Sequence, residues 1–170
     1  MTAAPPRVRA ALPADVRTIR DLVQPYATER ILLAKEWVGY YEAVQEFVVA
    51  ESPDDGAVVG CGALHVMWQD LAEVRTLAVD PAWRGRGVGH LLLDALLDRA
   101  RDLGLRRVFC LTFEVDFFAA HGFAPIDGTP VTPDVYAELL RSHDDGVAEF
   151  LDLARVKPNT LGNTRMLIEL

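Results

Sequence analysis

The sequence predicts an α+β fold in a single domain over residues 1–170, with a mixed, mostly antiparallel sheet and flanking helices. Three observations predict it. Strand patterns are grouped early in the chain, and only one strand–helix–strand crossover follows them, whereas a doubly wound sheet would alternate throughout. Just over half of the 170 residues, 51%, are hydrophobic, which suits one substantial core and leaves no need for a second domain.

Residues 7–12 read as the first strand. Pro13-Ala14-Asp15 opens a helix, with Asp15 favourable near its positive end, and Val16, Ile19, Leu22 and Val23 face the core up to an expected stop before Pro25. A second helical segment covers 37–44. Residues 47–51 and 58–68 are neighbouring strands joined by the turn chemistry of Ser52-Pro53-Asp54-Asp55-Gly56, and 71–79 completes the antiparallel run. Asp80-Pro81 ends that strand because proline has no N–H for the ladder.

From Val88 the apolar residues Val88, Leu92, Leu96, Ala100 and Leu103 keep helical spacing, and Gly104 supplies the stop. The crossover makes 107–112 a parallel neighbour of 71–79. A short helix over 115–121 stops at Gly122, a strand covers 123–126, and within 130–158 the pattern gives a helix over 133–141 and an apolar stretch over 147–153. Residues 165–170 read as the closing strand.

The most specific local motif is Arg84-Gly85-Arg86-Gly87-Val88-Gly89-His90, set between a strand and a long amphipathic helix. A helix start offers unpaired backbone N–H groups and a partial positive charge. Three glycines without β-carbons let an anion approach that backbone, and Arg84 and Arg86 add charge-assisted donors. A flexible turn is the plainer alternative, and the interleaved arginines favour the anion. The dinucleotide fingerprint is absent, because the third glycine it needs is replaced by His90 or Leu92, and no Gly-Lys-Ser/Thr loop occurs.

A net charge of −8 argues against a sequence-independent nucleic-acid surface. Arg106 and Arg107 add local positive charge near the loop or are simply solvated at a strand entrance. Cys61 and Cys110 lie in apolar runs as reduced core residues, and His65, His90, His121 and His143 form no recognisable metal set, so no metal is expected. Met1-Thr2-Ala3-Ala4-Pro5-Pro6 lacks the apolar core of a signal peptide and no apolar run reaches membrane-spanning length, so a cytoplasmic protein is expected.

Arg84-x-x-Gly87-x-Gly89 after a strand, followed about thirty residues later by Phe117-Phe118-x-x-x-Gly122-Phe123, resembles the GCN5-related N-acetyltransferase superfamily. A closer likeness lies in Ala72-Glu73-Val74-Arg75-Thr76-Leu77-Ala78-Val79, Arg107-Val108-Phe109-Cys110-Leu111-Thr112 and Gly162-Asn163-Thr164-Arg165-Met166-Leu167. With Ile31-Leu32-Leu33-Ala34-Lys35 and Glu42-Ala43-Val44-Gln45-Glu46-Phe47, these resemble the short, stand-alone N-acetylglutamate synthases that open arginine biosynthesis.

The resemblance implies a sheet splayed between its fourth and fifth strands around acetyl-CoA. The backbone of Leu77, Ala78 and Val79 would pair with the pantetheine arm, and backbone N–H groups of Arg84, Gly85, Arg86, Gly87, Val88, Gly89 and His90 would hold the pyrophosphate. Dimerisation is common among such proteins. Longer relatives carry an amino-acid-kinase-like domain that can bind arginine, for which 170 residues leave no room.

The chemistry implied is direct attack by the α-amino group of L-glutamate, or of L-glutamine, on the thioester in a ternary complex. An ammonium must first lose a proton, and Glu73, which interrupts an apolar strand, is the leading base; burial would bring its pKa toward the working pH. The alternative for Glu73 is an ion pair with Arg75, two residues on and on the same face. A backbone N–H near Leu77 would stabilise the tetrahedral intermediate. The superfamily commonly has tyrosine where this chain has Phe118, which cannot protonate the CoA thiolate, so Thr112 and Thr76 become the polar candidates, with departure of a free thiolate as the alternative.

Lys35, Arg75 and Arg165 are candidate cations for the substrate carboxylates, and Asn163 and Thr164 candidate hydrogen-bond donors. Two further readings stay open: another amine acceptor such as a polyamine, aminoglycoside or protein N-terminus, which the acidic composition would suit, and a non-catalytic acyl-CoA sensor.

Overall fold

The computed structural model describes residues 4–33, 35–153, 155–156 and 161–170; Met1-Thr2-Ala3, Ala34 and Pro158 lie outside them. Its strands are β1 (Arg7–Ala10), β2 (Phe47–Glu51), β3 (Val58–Trp68), β4 (Leu71–Val79), β5 (Arg107–Thr112), β6 (Ala124–Pro125) and β7 (Thr164–Glu169). The α-helices are α1 (Val16–Thr28), α2 (Trp37–Glu42), α3 (Val88–Asp102), α4 (Val115–Ala119), α5 (Pro133–Leu139) and α6 (Asp145–Phe150). The seven strands among the described residues form one sheet in the order β1-β2-β3-β4-β5-β7-β6. Only β4 and β5 run parallel, as their helical connection requires; the other pairs are antiparallel.

Strand periodicity divides the core into layers. From β2, Val48 and Ala50 pack with α3 residues Leu92, Leu93 and Leu96 on one face, while Phe47 and Val49 join Val16, Ile19 and Val23 of α1 on the other. A third cluster joins Leu71 and Phe109 to Leu139, Val147 and Phe150 of α5 and α6. On β4, Ala72 and Val74 face α3, which sends the intervening Glu73 and Arg75 to the opposite side.

The close seat of α3 depends on two glycines of β3. A β-carbon at Gly60 would lie 2.9 Å from Leu92 Cδ1, and one at Gly62 would lie 3.0 Å from Leu96 Cδ1. Their absence lets the helix settle onto the sheet and fixes where its N-terminus points.

Several boundaries differ from the sequence expectation. α1 continues through Pro25 to Thr28: a proline in the last turn forfeits one helical N–H, and the extra turn carries Tyr26, whose hydroxyl donates to Val79 O at 2.9 Å. Residues 13–15 form a 3-10 turn, where Asp15 accepts the Leu12 N–H at 2.7 Å and pairs with Arg9 at 2.7 Å. α2 ends at Glu42, with a separate 3-10 turn over Val44–Glu46. α4 stops at Ala119, ahead of Gly122 at φ +96°. β6 shrinks to Ala124–Pro125, as Phe123 turns into the core. No described helix is long and apolar enough to cross a membrane.

Candidate active site

The pairing of β4 with β5 covers Leu71↔Arg107, Ala72↔Val108 and Glu73↔Phe109 and then stops. Beyond Glu73 the strands diverge. Opposite Gly62, β4 also gains an extra residue, since the register steps from Cys61↔Ala78 to Ala63↔Arg75. Thr76 sits in this bulge at φ +59°, a conformation uncommon for a β-branched residue. Bend and divergence together open a cleft of about 1120 Å³ between the strands.

The α3 N-terminus enters this cleft. Gly87 is its N-cap at φ +79°, a left-handed geometry that glycine adopts without steric cost, and Gly85 has φ +73°. The first-turn N–H groups of Val88, Gly89 and His90 have no intrahelical acceptor by helix geometry. Val88, Gly89 and His90 line the cleft together with Gly85 and Gly87. At Gly89 a β-carbon would come within 3.3 Å of the Phe117 ring, so glycine also keeps this entrance open.

The two loop arginines part company. Arg84 lines the cleft, donates to the Tyr26 hydroxyl at 2.7 Å and lies over the Tyr26 ring. Arg86 instead stacks on Trp83, with 4.9 Å to the ring centroid, and is outside the lining. Leu77 and Val79 line the cleft, whereas the Ala78 side chain is buried with the α1 cluster.

Deeper in, Glu73 is 4% exposed. Arg75 donates to its Oε2 from Nη2 at 2.8 Å and from Nε at 3.2 Å, so the ion pair weighed as the alternative to catalysis exists. The other guanidinium edge binds both carboxylate oxygens of Asp144, at 2.9 and 3.0 Å. Burial disfavours the Arg75 charge, but Glu73 and Asp144 outweigh it and hold the guanidinium protonated. Burial would also raise the Asp144 pKa; Arg75 and the Val147 N–H overcome it and bring the pKa below its ordinary value.

Other candidates are sorted by the same geometry. Lys35 and Asn163 line the cleft, and the buried Asn163 Oδ1 has no hydrogen-bond partner among the described residues. Thr112 lines it too, 7% exposed; its Oγ1 accepts the Glu114 N–H at 2.8 Å, which leaves the hydroxyl proton for a cleft acceptor. Thr76 and Phe118 line it as well. Thr164 pairs with Thr112 in the β5–β7 ladder and is not in the lining. Arg165 stands behind the wall, donating to the carbonyls of Gly128, Glu149 and Phe150 with its guanidinium over Phe109.

Two features escaped the sequence reading. Glu149 of α6 lines the cleft and is 7% exposed. Its signal was available, because it interrupts the apolar run Val147-Ala148-Glu149-Phe150-Leu151 just as Glu73 interrupts β4. At the cleft entrance, His90 Nδ1 lies 2.7 Å from His121 Nε2, and His121 Nδ1 lies 3.1 Å from Asp94. That row joins α3 to the segment after α4 across 31 residues, beyond the reach of local spacing.

Comparison with known proteins matches this architecture. Residues 16–124 match the acetyltransferase (GNAT) family. The chain is 63% identical to an amino-acid acetyltransferase of Mycobacterium tuberculosis over 166 residues, which cover 97% of this chain and 95% of that protein. It is 31% identical over 71% of its length to an amino-acid acetyltransferase of Aeromonas salmonicida, of which the matched part is only 27%.

A crystal structure of a Mycobacterium tuberculosis protein in complex with CoA and NLQ superposes with a TM-score of 0.95 at 63% identity, covering 97% of this chain and 99% of that one. The N-acetylglutamate synthase of Neisseria gonorrhoeae, complexed with coenzyme A and N-acetyl-glutamate, shares the fold at a TM-score of 0.77 and 24% identity, over 99% of this chain and 36% of that one. A splayed β4–β5 pair with a glycine-lined helix start in its mouth is thus found where kinship also points, and the chain belongs to the acetyltransferase (GNAT) family.

Proposed function

We propose that this protein transfers the acetyl group of acetyl-CoA to the α-amino group of L-glutamate, with L-glutamine as the alternative acceptor. The observation that carries the reading is the shared cleft: a helix start built for an anion, an unpaired stretch of β4 and a buried carboxylate all line it. The similarity to an amino-acid acetyltransferase along 97% of the chain supports an amino acid as acceptor.

In this reading the α3 N-terminus and Arg84 hold the CoA pyrophosphate, and β4 beyond Glu73 offers peptide groups to the pantetheine amides. The amino acid enters from the side of Lys35 and Asn163, where a cation and a free amide oxygen line the wall. Its ammonium meets a cleft rich in carboxylate. Attack places negative charge on the thioester oxygen, beside the backbone near Leu77, and preorganised N–H donors in such a place are worth about 3–4 kcal/mol. The Thr112 hydroxyl is the donor for the departing sulfur.

The test is thiol release from acetyl-CoA with L-glutamate and, in parallel, L-glutamine. Release dependent on either supports the reading, and their kcat/KM ratio assigns the acceptor. Silence with both defeats it. The acidic lining, including Glu36, Glu42 and Asp145, favours a cationic amine as the second reading; turnover of a polyamine in the same assay would establish that one. Tight acetyl-CoA binding without release for any amine would mark a sensor.

A further inference from the structure

We propose that Tyr26 is a positioning residue for the cofactor: its hydroxyl holds the Arg84 guanidinium at the mouth of the cleft, ready for the CoA pyrophosphate, without cancelling its charge. The inference rests on the acetyl-CoA reading above and adds to it a residue of α1.

Tyr26 follows Pro25, in the turn by which α1 outruns its expected stop. Its ring packs against the α1 cluster, so the hydroxyl is carried on a side chain with little freedom. That hydroxyl has a single proton, and Val79 O receives it at 2.9 Å. Toward Arg84 Nη2, 2.7 Å away, the oxygen can therefore only accept. The guanidinium also lies over the Tyr26 ring, with Cζ 5.3 Å from the centroid. Held at Nη2, Arg84 keeps its Nε and Nη1 N–H groups for an anion, beside Gly85, Gly87 and Gly89 in the same lining.

What sets this contact apart is the neutrality of the partner. Arg9, Arg75, Arg101, Arg107, Arg141 and Arg155 each pair with a carboxylate, which offsets their charge. The same option is open to Arg84. Glu29 and Glu114 line the cleft and attract its charge, yet the one hydrogen bond its side chain makes among the described residues goes to Tyr26. A phenol steadies the guanidinium as a carboxylate would, and leaves its positive charge for phosphate.

The gain lies in order rather than in a new contact with the ligand. Arg84 is exposed, and fixing a long, mobile side chain when the ligand arrives weakens binding. A residue that fixes it beforehand removes much of that loss, about 3- to 10-fold in dissociation constant for one side chain. The whole pantetheine arm separates the pyrophosphate from the thioester. Arg84 would therefore hold the cofactor equally before and during acetyl transfer, and the effect falls on binding rather than on kcat.

The experiment is a double-mutant cycle, read by calorimetric titration of CoA into wild type, Tyr26→Phe, Arg84→Ala and the double variant. Tyr26→Phe, which keeps the ring, should weaken CoA binding by about 3- to 10-fold, and Arg84→Ala by about 10-fold or more. In the Arg84→Ala background, Tyr26→Phe should change affinity by less than about 2-fold, because the hydroxyl has nothing left to hold. In thiol release, Tyr26→Phe should raise KM for acetyl-CoA and keep kcat at saturation. Losses that add in the double variant overturn the proposal, as does a Tyr26→Phe affinity equal to that of wild type. So does a fall in kcat as large as the fall in affinity, which would mean that the hydroxyl acts by fixing Val79 and the end of β4. Wild type that binds no CoA instead defeats the acetyl-CoA reading beneath it.

Discussion

Arg75 binds Glu73 and Asp144 at once, with Nη2 2.8 Å from Glu73 Oε2 and Nη1 2.9 Å from Asp144 Oδ1. One guanidinium therefore fastens the floor of the cleft on β4 to the N-cap of α6, across 69 residues of chain. Asp144 also accepts the Val147 N–H at 2.9 Å, so the same carboxylate starts the helix that carries Glu149.

This joint leaves no room at Gly146, where a β-carbon would run into the Arg75 guanidinium. Gly146→Ala should cost about 1–3 kcal/mol in denaturant unfolding, as overpacking does. It should lower kcat as well, because displacing Arg75 disturbs both carboxylates. Unchanged stability and rate would show that the guanidinium has space to move.

Glu73→Gln removes the anion that Arg75 neutralises. Its kcat should fall by ~10-fold or more while CoA affinity stays within a factor of ~2, since Glu73 stands apart from the glycine loop. Steady-state kinetics beside calorimetric CoA titration separates the two. Equal losses in both would point to a collapsed cleft.

Gly87→Val places a β-branched residue at φ +79°, where a side chain costs about 1–2 kcal/mol. The variant should bind CoA more weakly by calorimetry, as the first-turn N–H groups shift. Gly56→Ala, in a distant turn at φ +73° with nothing within 4 Å of its β-carbon, should show a comparable backbone cost with CoA affinity intact.

Stability should depend on pH through Glu149. Its folded pKa of about 8 lies above the ordinary 4.5, so between those values the folded state holds a proton that the unfolded chain releases. The contribution is fully present below about pH 4.5 and fades as pH rises to about 8, by at most about 1.4 kcal/mol per pH unit. Asp144 runs the other way: its lowered pKa gives stability above 3.8 that is lost as pH falls through the folded value. Denaturant melts across pH should show a flatter neutral-range slope for Glu149→Gln than for wild type.

Much of this architecture is written locally. The 3.6-residue spacing from Val88 onward, the proline at position 81 and the glycines at 85, 87 and 89 specify the crossover and its loop without reference to the rest of the chain. What local pattern omits is contact between distant segments. Pro25 reads as a stop until Val79 O is known to receive Tyr26. Arg165 reads as a substrate cation until the carbonyls of α6 are seen to occupy it. Glu149 breaks an apolar run in the stretch with the weakest periodicity, and only the tertiary packing that brings α6 over β4 turns that break into a second buried carboxylate of the cleft.

The bend at Thr76 and the early end of the β4–β5 ladder give one strand two characters. Over Leu71–Glu73 it is an interior strand, and past that point it is a sheet edge inside the protein. An edge invites any extended chain to pair with it. Here the Tyr26 hydroxyl already occupies Val79 O at the far end, and Phe117 stands at the mouth. What is left between them is a short unpaired stretch of β4 that lies inside the protein, where a neighbouring molecule's strand does not meet it as it would meet an outer edge.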